Sequence, residues 1–517
     1  MTPPRRWRSL AVIALAAAVA YAPSFAVPFQ YDDYARIGQN RALQDGQLFE
    51  ALVWFGNSRV VPSLTLAANF WAGGIDPIGY HAVNFAVHLL TAFGVVALAL
   101  ALCETPRLRA AWPPPRASRM AVVAGLVFAC HPLQAQAVTY VIQRYASMAA
   151  LFYVWAVVAF LHARLQQVGS AAGRSSPYFV ASAVLGICAV LSKENAVSLP
   201  AALLLAEWVG FGWPHHRRVL LIGAGLALLA VAVPLVWKLM MLLPDASDDQ
   251  QHTLLSRVAD ALAGPPATPD GALPTFGEYL LTEATVVPRY LLLIVRPWGL
   301  NVDHDVPLVR TVTPAVAGGL VVLAALAIAA VTQVRRRPLA AFAILWLFVA
   351  LSVESSVIPI VDPMVEHRMY LPMVGVAIGI GALFATAAER VPRLAWSAGG
   401  AAIVGLIALT FARNLVWQSP LTLWLDATEK SPDKARPQLN LGVAYHQLEQ
   451  LDDAIPHYCR ALQLAPDDRL AHDNLEIALE ALGIGASVKD ARPDGTTVLE
   501  MKSPETFCQE DRASARP

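Results

Sequence analysis

Charge is scarce in this chain. Asp, Glu, Lys and Arg make up 15% of its 517 residues, against 56% hydrophobic residues. That composition excludes an ordinary soluble globular protein, and the apolar residues come in long blocks, as in a polytopic membrane protein. Net charge is missing too. The 38 Lys and Arg balance 38 Asp and Glu, so the basic footprint of a nucleic-acid partner is absent. Cysteine is rare, and none of the five has metal-ligand spacing. Cys103, Cys130 and Cys188 fall in or beside apolar runs, and only Cys459 and Cys508 lie in polar sequence. No disulfide framework and no metal site are expected from them.

What is abundant is spanning sequence. Runs centred near 10–28, 82–103, 119–131, 146–163, 178–191, 196–212, 219–243, 312–334, 339–353, 369–388 and 394–413 give about eleven candidate transmembrane helices. The first run continues past the cleavage-like "AYA" at 20–22 to Phe29, which reads as an uncleaved span. Basic clusters fall at Arg5/Arg6/Arg8, Arg107/Arg109/Arg116/Arg119, Arg164/Arg174, Arg217/Arg218, Arg335/Arg336/Arg337 and Arg390/Arg393. If every run crosses once, all of them share the cytoplasmic side with the N-terminus. "EYLLTEATVVPRYLLLIVRPWGL" (278–300) would break this pattern by crossing. It is expected to lie at or dip into the outer interface, which suits Glu278, Glu283, Arg289 and Arg296 better than lipid does. The outer side then carries "YDDYARIGQN", "NSRVVPSL", "HPLQAQAVTYVIQR", "SKEN", "VRPWGLNVDHD" and "VEHRMYLP".

Three segments follow: a membrane domain over 1–413, a helical module over 414–483, and a polar tail over 484–517 expected to be disordered. The module repeats at 34 residues, with Ala427/Ala461, Pro432/Pro466, Asn440/Asn474, Leu441/Leu475 and Ala444/Ala478 in register. Period and pattern resemble the tetratricopeptide repeat, with one complete repeat and half-repeats on either side. Three repeats are the usual minimum, so support from elsewhere is expected.

Asp32 and Asp33 sit just beyond the first span between Tyr31 and Tyr34. Acidic residues there can simply mark a translocated span end. A carboxylate at the membrane edge can also take a proton from a hydroxyl nucleophile, or hold a divalent cation that neutralises a phosphate leaving group. The run at 120–130 is short, so its helix should break at His131-Pro132. Beyond the break, Gln136, Tyr140 and Arg144 fall on one face of an expected amphipathic surface helix. Arg144, Lys193 and Arg368 are candidate phosphate ligands, Arg because its fork matches phosphate oxygens. His131, Glu194, Glu366 and Tyr370 are supporting candidates, each with a capping, ion-pairing or packing role as the alternative. Arg59, Arg289 and Arg296 are weaker cationic candidates. His81, Asn84 and His88 share a face of the second span, which suits packing into a bundle interior.

The ordered set "YDDY", "RVVPSLTLAANFWAGGIDPIGYHAVNFAVHLL", "HPLQAQAVTYVIQR", "LSKENAVSLP", "YLLLIVRPWGLNVDHD" and "EHRMYLP", followed by the repeats, resembles the transmembrane and tetratricopeptide-repeat O-mannosyltransferases of the GT-C glycosyltransferase class and their bacterial relatives. It departs at "SRVVP", where an Arg-Pro pair is common. The resemblance implies an all-α, many-span GT-C fold with a short repeat module. It implies a polyprenyl-phosphate sugar donor and inverting transfer to a protein hydroxyl, with Asp32 or Asp33 as general base. Short loops suit a bacterial inner membrane, with a cytoplasmic N-terminus and the repeats in the periplasm. The competing readings are a membrane-anchored scaffold without catalysis, and an enzyme that glycosylates a lipid or glycan.

Overall fold

A computed structural model describes residues 3–55, 59–169, 175–212, 274–357, 360–483, 486–491, 497–501 and Cys508. It divides into two compact units. The larger comprises Met1–Pro265, Leu273–Leu300 and Leu308–Leu415, and the smaller Pro266–Ala272, Asn301–Pro307 and Val416–Pro517.

The larger unit is helical, and its helices start where local chemistry says they should. Proline, whose missing N–H is an orphan in the first turn anyway, opens Pro77–Glu104, Pro114–Cys130, Pro314–Gln333, Pro338–Leu351 and Pro372–Arg390. Asp76 and Thr313 add side-chain caps, accepting from Ile78 N and Val316 N. Six helices among the described residues are long and apolar enough to cross a membrane: Trp7–Ala26, Pro77–Glu104, Val141–Val168, Pro314–Gln333, Pro372–Arg390 and Pro392–Val416. Pro114–Cys130 and Pro132–Thr139, bent by 54° at the expected break, make up to a seventh. The runs at 178–191 and 339–353 fold as the shorter apolar helices Ser176–Val190 and Pro338–Leu351. The run at 196–212 holds the helix Leu199–Gly210. The run at 219–243 lies outside the described residues.

The segment 278–300 begins as the helix Phe276–Val295, opened by a reciprocal Thr275–Glu278 capping box and crossed by Pro288. It is not among the six apolar spans. Tyr279, Glu283 and Tyr290 on it are buried.

The second span, Pro77–Glu104, organises the unit. It packs on Arg144–Val168 and on Pro114–Cys130, which in turn packs on Pro372–Arg390. That last crossing is close because Gly381 lies against the Met120 carbonyl, where a Cβ would collide. Gly319 does the same against the Ala284 carbonyl. The span's 28 residues separate two ends by about 40 Å at 1.5 Å per residue. One end carries Tyr80, His81 and Asn84. Near the other, Arg107 Nη1 donates to the Trp208 carbonyl (2.7 Å), and Arg164 makes a two-point contact with Glu207 (2.7 and 2.8 Å). Arg119 there pairs with Glu389 (3.1 Å). Polar loops and basic loops thus sort to opposite ends, as their sequence order requires.

In the smaller unit, Pro420–Lys430, Ala435–Gln447, Leu451–Leu464 and Arg469–Ala481 pack in succession. Ala435–Gln447 and Arg469–Ala481 have matching bounds at the 34-residue offset. Gly442 leaves room for the Tyr458 ring, 2.6 Å from where a Cβ would stand. Residues 301–307, from the middle of the chain, belong to this unit. Asp303 accepts from Lys434 Nζ (2.5 Å) and from Arg436 Nε and Nη2 (both 2.7 Å). Ser431 Oγ donates to the Asp303 carbonyl (2.9 Å). Two expectations fail here. Cys459 and Cys508 form a disulfide across a sequence separation of 49, with Cα atoms 5.4 Å apart. Closing a loop of that size stabilises by on the order of 4 kcal/mol in the chain-entropy account. The tail expected to be disordered contains the antiparallel strands Ala486–Ala491 and Thr497–Met501, paired from Ala486↔Met501 to Ala491↔Thr497. The β-prone run "TTVLEM" supplies the second strand.

Gly381→Ala should therefore cost about 1–3 kcal/mol by overpacking, because a backbone carbonyl cannot rotate away. Thermal unfolding of the detergent-purified protein checks this, and an unchanged midpoint would contradict the close crossing.

Candidate active site

The acidic pair is split by the backbone that carries it. After the first span a short 3-10 turn, Ala22–Ala26, leads to Tyr31 in the left-handed region at φ +46°. A non-glycine residue there is strained by about 1 kcal/mol or more, and such strain persists only where neighbours enforce it. Asp33 is 1% exposed. Its Oδ1 accepts from the Ile142 N–H (2.8 Å) and its Oδ2 from the Gln30 N–H (3.1 Å). Asp32 is exposed, and its own N–H donates to the Tyr140 hydroxyl (3.0 Å). Adjacent carboxylates thus have different work: Asp33 fastens the loop to the chain beyond the helix break, and Asp32 faces outward. Burial pushes the Asp33 carboxyl up to about 8, with the Asp32 charge adding to it and the two N–H bonds opposing.

The segment after His131 is not a surface helix. Gln136, Val138, Tyr140, Ile142 and Arg144 are all buried, in the short helix Ala135–Thr139, a 3-10 turn at Val141–Gln143, and the start of the long helix Arg144–Val168. Small residues at 135 and 137 let the turn sink into the bundle. His131 acts as a cap: its Nδ1 accepts from Leu133 N (3.2 Å) and its Nε2 donates to the Ile294 carbonyl (3.0 Å). Both nitrogens are occupied, so it is a structural support.

Arg144 departs most from expectation. Its guanidinium is fully buried, and four of its five N–H groups donate to protein oxygens. Nε donates to Asn84 (2.6 Å), Nη1 to Asn69 (2.7 Å) and Thr65 (3.1 Å), and Nη2 to the Tyr80 carbonyl (3.0 Å). A sealed guanidinium must find acceptors inside the fold, and four neighbours provide them. Asn84 completes the knot by donating to the Val138 and Val141 carbonyls (3.1 and 3.2 Å). The expected polar face of the second span is present: His88 Nδ1 accepts from the Tyr370 hydroxyl (2.8 Å) and Nε2 donates to the Ala129 carbonyl (3.0 Å), while His81 Nε2 donates to the Val27 carbonyl (2.8 Å).

Lys193, Arg368 and Arg59 each have a carboxylate. Lys193 pairs with Glu354 (2.6 Å), and Asn195 donates to the same carboxylate (3.2 Å). Burial alone would raise Glu354, but Lys193 and Arg368 hold its carboxylate below the usual range. Arg368, buried, pairs with Glu283 (3.2 Å) and donates to the Pro363 (2.6 Å) and Asp362 (3.1 Å) carbonyls. Like Arg144, it is a fold-holding arginine here rather than an open phosphate ligand. Glu366 is buried, 4.0 Å from Arg413. Arg59 and Glu194 form the exception in accessibility: their pair (3.3 Å) leaves the two side chains 35% and 36% exposed. Arg59 also lies over the Tyr145 ring, 5.0 Å from its centroid. Tyr145 is within electrostatic reach of Arg59, Arg36 and Asp33, and Arg59 of Glu354. The acidic loop, "SKEN" and "EHRMYLP" therefore converge.

The sequence pattern gave no site role to Glu354 or Tyr145, and it named Glu283 and Tyr140 only as residues of interfacial helices. Glu354 was visible as one acid at the very end of an apolar run, a pattern that marks a buried partner. Among the described residues no three His, Cys, Asp or Glu side chains form a metal site.

The ionisation of Asp33 has a sign that can be measured. Its carboxyl binds its proton more tightly folded than unfolded, so the unfolded chain holds fewer protons between about pH 4 and 8. Stability should fall as pH rises through that window and level off above it. Thermal melts of wild type and Asp33→Asn across pH 4–9 test this. The variant should lack that slope, and identical slopes in both proteins would rule it out.

No protein-family model matches the chain. Among curated proteins it is similar to Protein O-mannosyl-transferase TMTC4 of Homo sapiens, 29% identical over 216 residues, covering 38% of this chain and 28% of that protein. It is similar to TMTC3 of Mus musculus at 23% identity over 507 residues, covering 91% of this chain and 52% of that protein. TMTC3 of Drosophila melanogaster matches at 23% over 480 residues, covering 81% and 49% respectively. Among solved structures, ArnT from Cupriavidus metallidurans bound to undecaprenyl phosphate aligns with a TM-score of 0.42 and 17% identity, over 93% of this chain and 78% of that one. The chain spans about half, or less, of the length of these curated relatives. Over most of its length it is similar to two TMTC3 proteins, which are named O-mannosyl-transferases.

Proposed function

We propose that this protein is a membrane glycosyltransferase that moves a sugar from a polyprenyl-phosphate donor to a protein hydroxyl. The observation that carries the reading is the division of the acidic pair. Asp32 is presented outward on a loop that Asp33 and Tyr140 hold in place, beside the convergence of "SKEN" and "EHRMYLP". The similarity to proteins named O-mannosyl-transferases makes mannose the first sugar to test and a Ser or Thr hydroxyl the acceptor.

In the proposed step Asp32 is the general base. The acceptor hydroxyl oxygen attacks the anomeric carbon while its proton passes to Asp32. The bond from that carbon to the phosphate oxygen breaks, and polyprenyl phosphate leaves with the electron pair. One in-line displacement inverts the anomeric centre. The half-exposed Arg59–Glu194 pair is where a phosphate can exchange with a carboxylate without dismantling the interior. Lys193, one residue from Glu194, stays in its buried pair with Glu354 and stands beside the site as a fixed positive charge. Arg144 and Arg368 contribute by fixing the scaffold.

The active face is assigned to the periplasmic or luminal side. The charge asymmetry of the loops supports this. So does the Cys459–Cys508 disulfide, since such bonds persist in oxidising compartments. The helices over 420–481, which repeat like tetratricopeptide units, are proposed to present the acceptor protein.

Two measurements follow. Asp32→Asn keeps the shape and removes the base, so transfer from polyprenyl-phosphate mannose should fall by roughly a hundredfold or more with normal expression and melting. Full activity of a folded Asp32→Asn protein would refute the assignment. Deleting residues 416–517 should raise KM for a protein acceptor while sparing transfer to a short peptide, because a tethered module supplies local concentration. Equal loss on both acceptors from a folded truncation would place the module in the chemistry instead.

A further inference from the structure

We infer that His367 is a substrate-binding residue whose Nε2 accepts a hydrogen bond from a hydroxyl of the transferred sugar. The inference rests on the proposed transferase reading and adds to it the group that reads the sugar. His367 lies in the short 3-10 turn Glu366–Met369. Its neighbours Glu366 and Arg368 are buried, whereas His367 itself is half-buried.

The tautomer follows from the bonding. Gln136 Oε1 is 2.8 Å from the His367 backbone N–H, an obligate donor, so that atom of Gln136 is an acceptor. The same oxygen stands 3.1 Å from His367 Nδ1, which must therefore carry the proton. In a neutral imidazole the other nitrogen is then an acceptor. It has no hydrogen-bond partner among the described residues. The charges that act on the ring are those of Lys193, Arg368 and Arg59, and burial together with these cations holds the imidazole well below its ordinary range, so it stays uncharged.

This matters because donors are plentiful here and acceptors are scarce. Lys193, Arg59 and Arg368 can only donate, and their carboxylates Glu354, Glu194 and Glu283 are turned to them. A sugar joined to a phosphate near Arg59 and Lys193 brings hydroxyl protons that need an acceptor, and a hexose is small enough to remain in the same neighbourhood. The acceptor protein's hydroxyl proton already has a destination in Asp32. Gln136 is the positioning residue: by accepting from Nδ1–H it fixes the tautomer that leaves a lone pair on Nε2.

The experiment pairs His367 variants with polyprenyl-phosphate mannose and its 2-, 3-, 4- and 6-deoxy analogues. In wild type, loss of one particular hydroxyl should lower kcat/KM by about tenfold, the scale of one hydrogen bond to an uncharged acceptor. In His367→Phe that discrimination should collapse to within about twofold while the other deoxy donors keep their wild-type penalties, as additivity requires of uncoupled groups. His367→Gln, which sets an amide near the Nε2 position, should restore part of it. His367→Asn, which restores only the contact to Gln136, should not. Wild-type penalties for every deoxy donor in a folded His367→Phe protein would overturn the inference, as would full rescue by Asn. Absence of turnover of any of these donors by wild type would instead overturn the transferase reading, and this inference with it.

Discussion

The larger unit depends on the burial of one guanidinium. Arg144 begins the long helix Arg144–Val168, yet its four bonded partners lie on two other segments: Thr65 and Asn69 on the helix Val60–Gly73, and Tyr80 and Asn84 on the second span. A charge taken out of water is tolerated only when its donors are satisfied, so these segments cannot separate without exposing an uncompensated cation. Asn84 extends the constraint by holding the carbonyls of Val138 and Val141. The next residue, Ile142, donates its N–H to Asp33. A short path of hydrogen bonds therefore runs from the core of the bundle to the loop that displays Asp32.

Burial grades the ion pairs by what they can do. Arg164–Glu207, Arg368–Glu283 and Lys193–Glu354 are closed pairs, whose desolvation is offset by short contacts and which discourage rearrangement. Arg59–Glu194 is partly open, so its net worth to stability is small and its exchange with a ligand correspondingly easy. Such a gradient, rigid beneath and exchangeable at the rim, is what a site needs if it must hold geometry yet admit an anionic substrate.

The smaller unit meets a different constraint. Four helices at a 34-residue period bury little core, and repeat arrays this short are marginal alone. Two non-repeat pieces supply what further repeats would. Asp303, from the middle of the chain, carries three charged hydrogen bonds from Lys434 and Arg436. Cys508 closes the other side by its bond to Cys459 within the cluster around Tyr458 and Leu475.

Composition and periodicity alone determined that this is a helical membrane protein, that the chain breaks at His131-Pro132, and that polar and basic loops occupy opposite ends, but they pointed to about eleven spans where six described helices, or seven with the bent pair, are long and apolar enough to cross. Those features are local or statistical: apolar runs, proline positions and charge asymmetry need no partner to be read. The repeat period was legible for the same reason. The tertiary structure decided what each polar residue does. Arg144, Lys193 and Arg368 look alike in a sequence, as cations at span ends, but whether a guanidinium faces a ligand or an asparagine depends on residues 60 to 85 positions away. Asp32 and Asp33 are neighbours that a string cannot rank. The strained turn at Tyr31 and a donor 109 residues along the chain, the Ile142 N–H, assign one to the interior and leave the other exposed. The disulfide was hidden for a related reason, because pairing of cysteines 49 residues apart is fixed by how the helices and the hairpin fold, not by spacing.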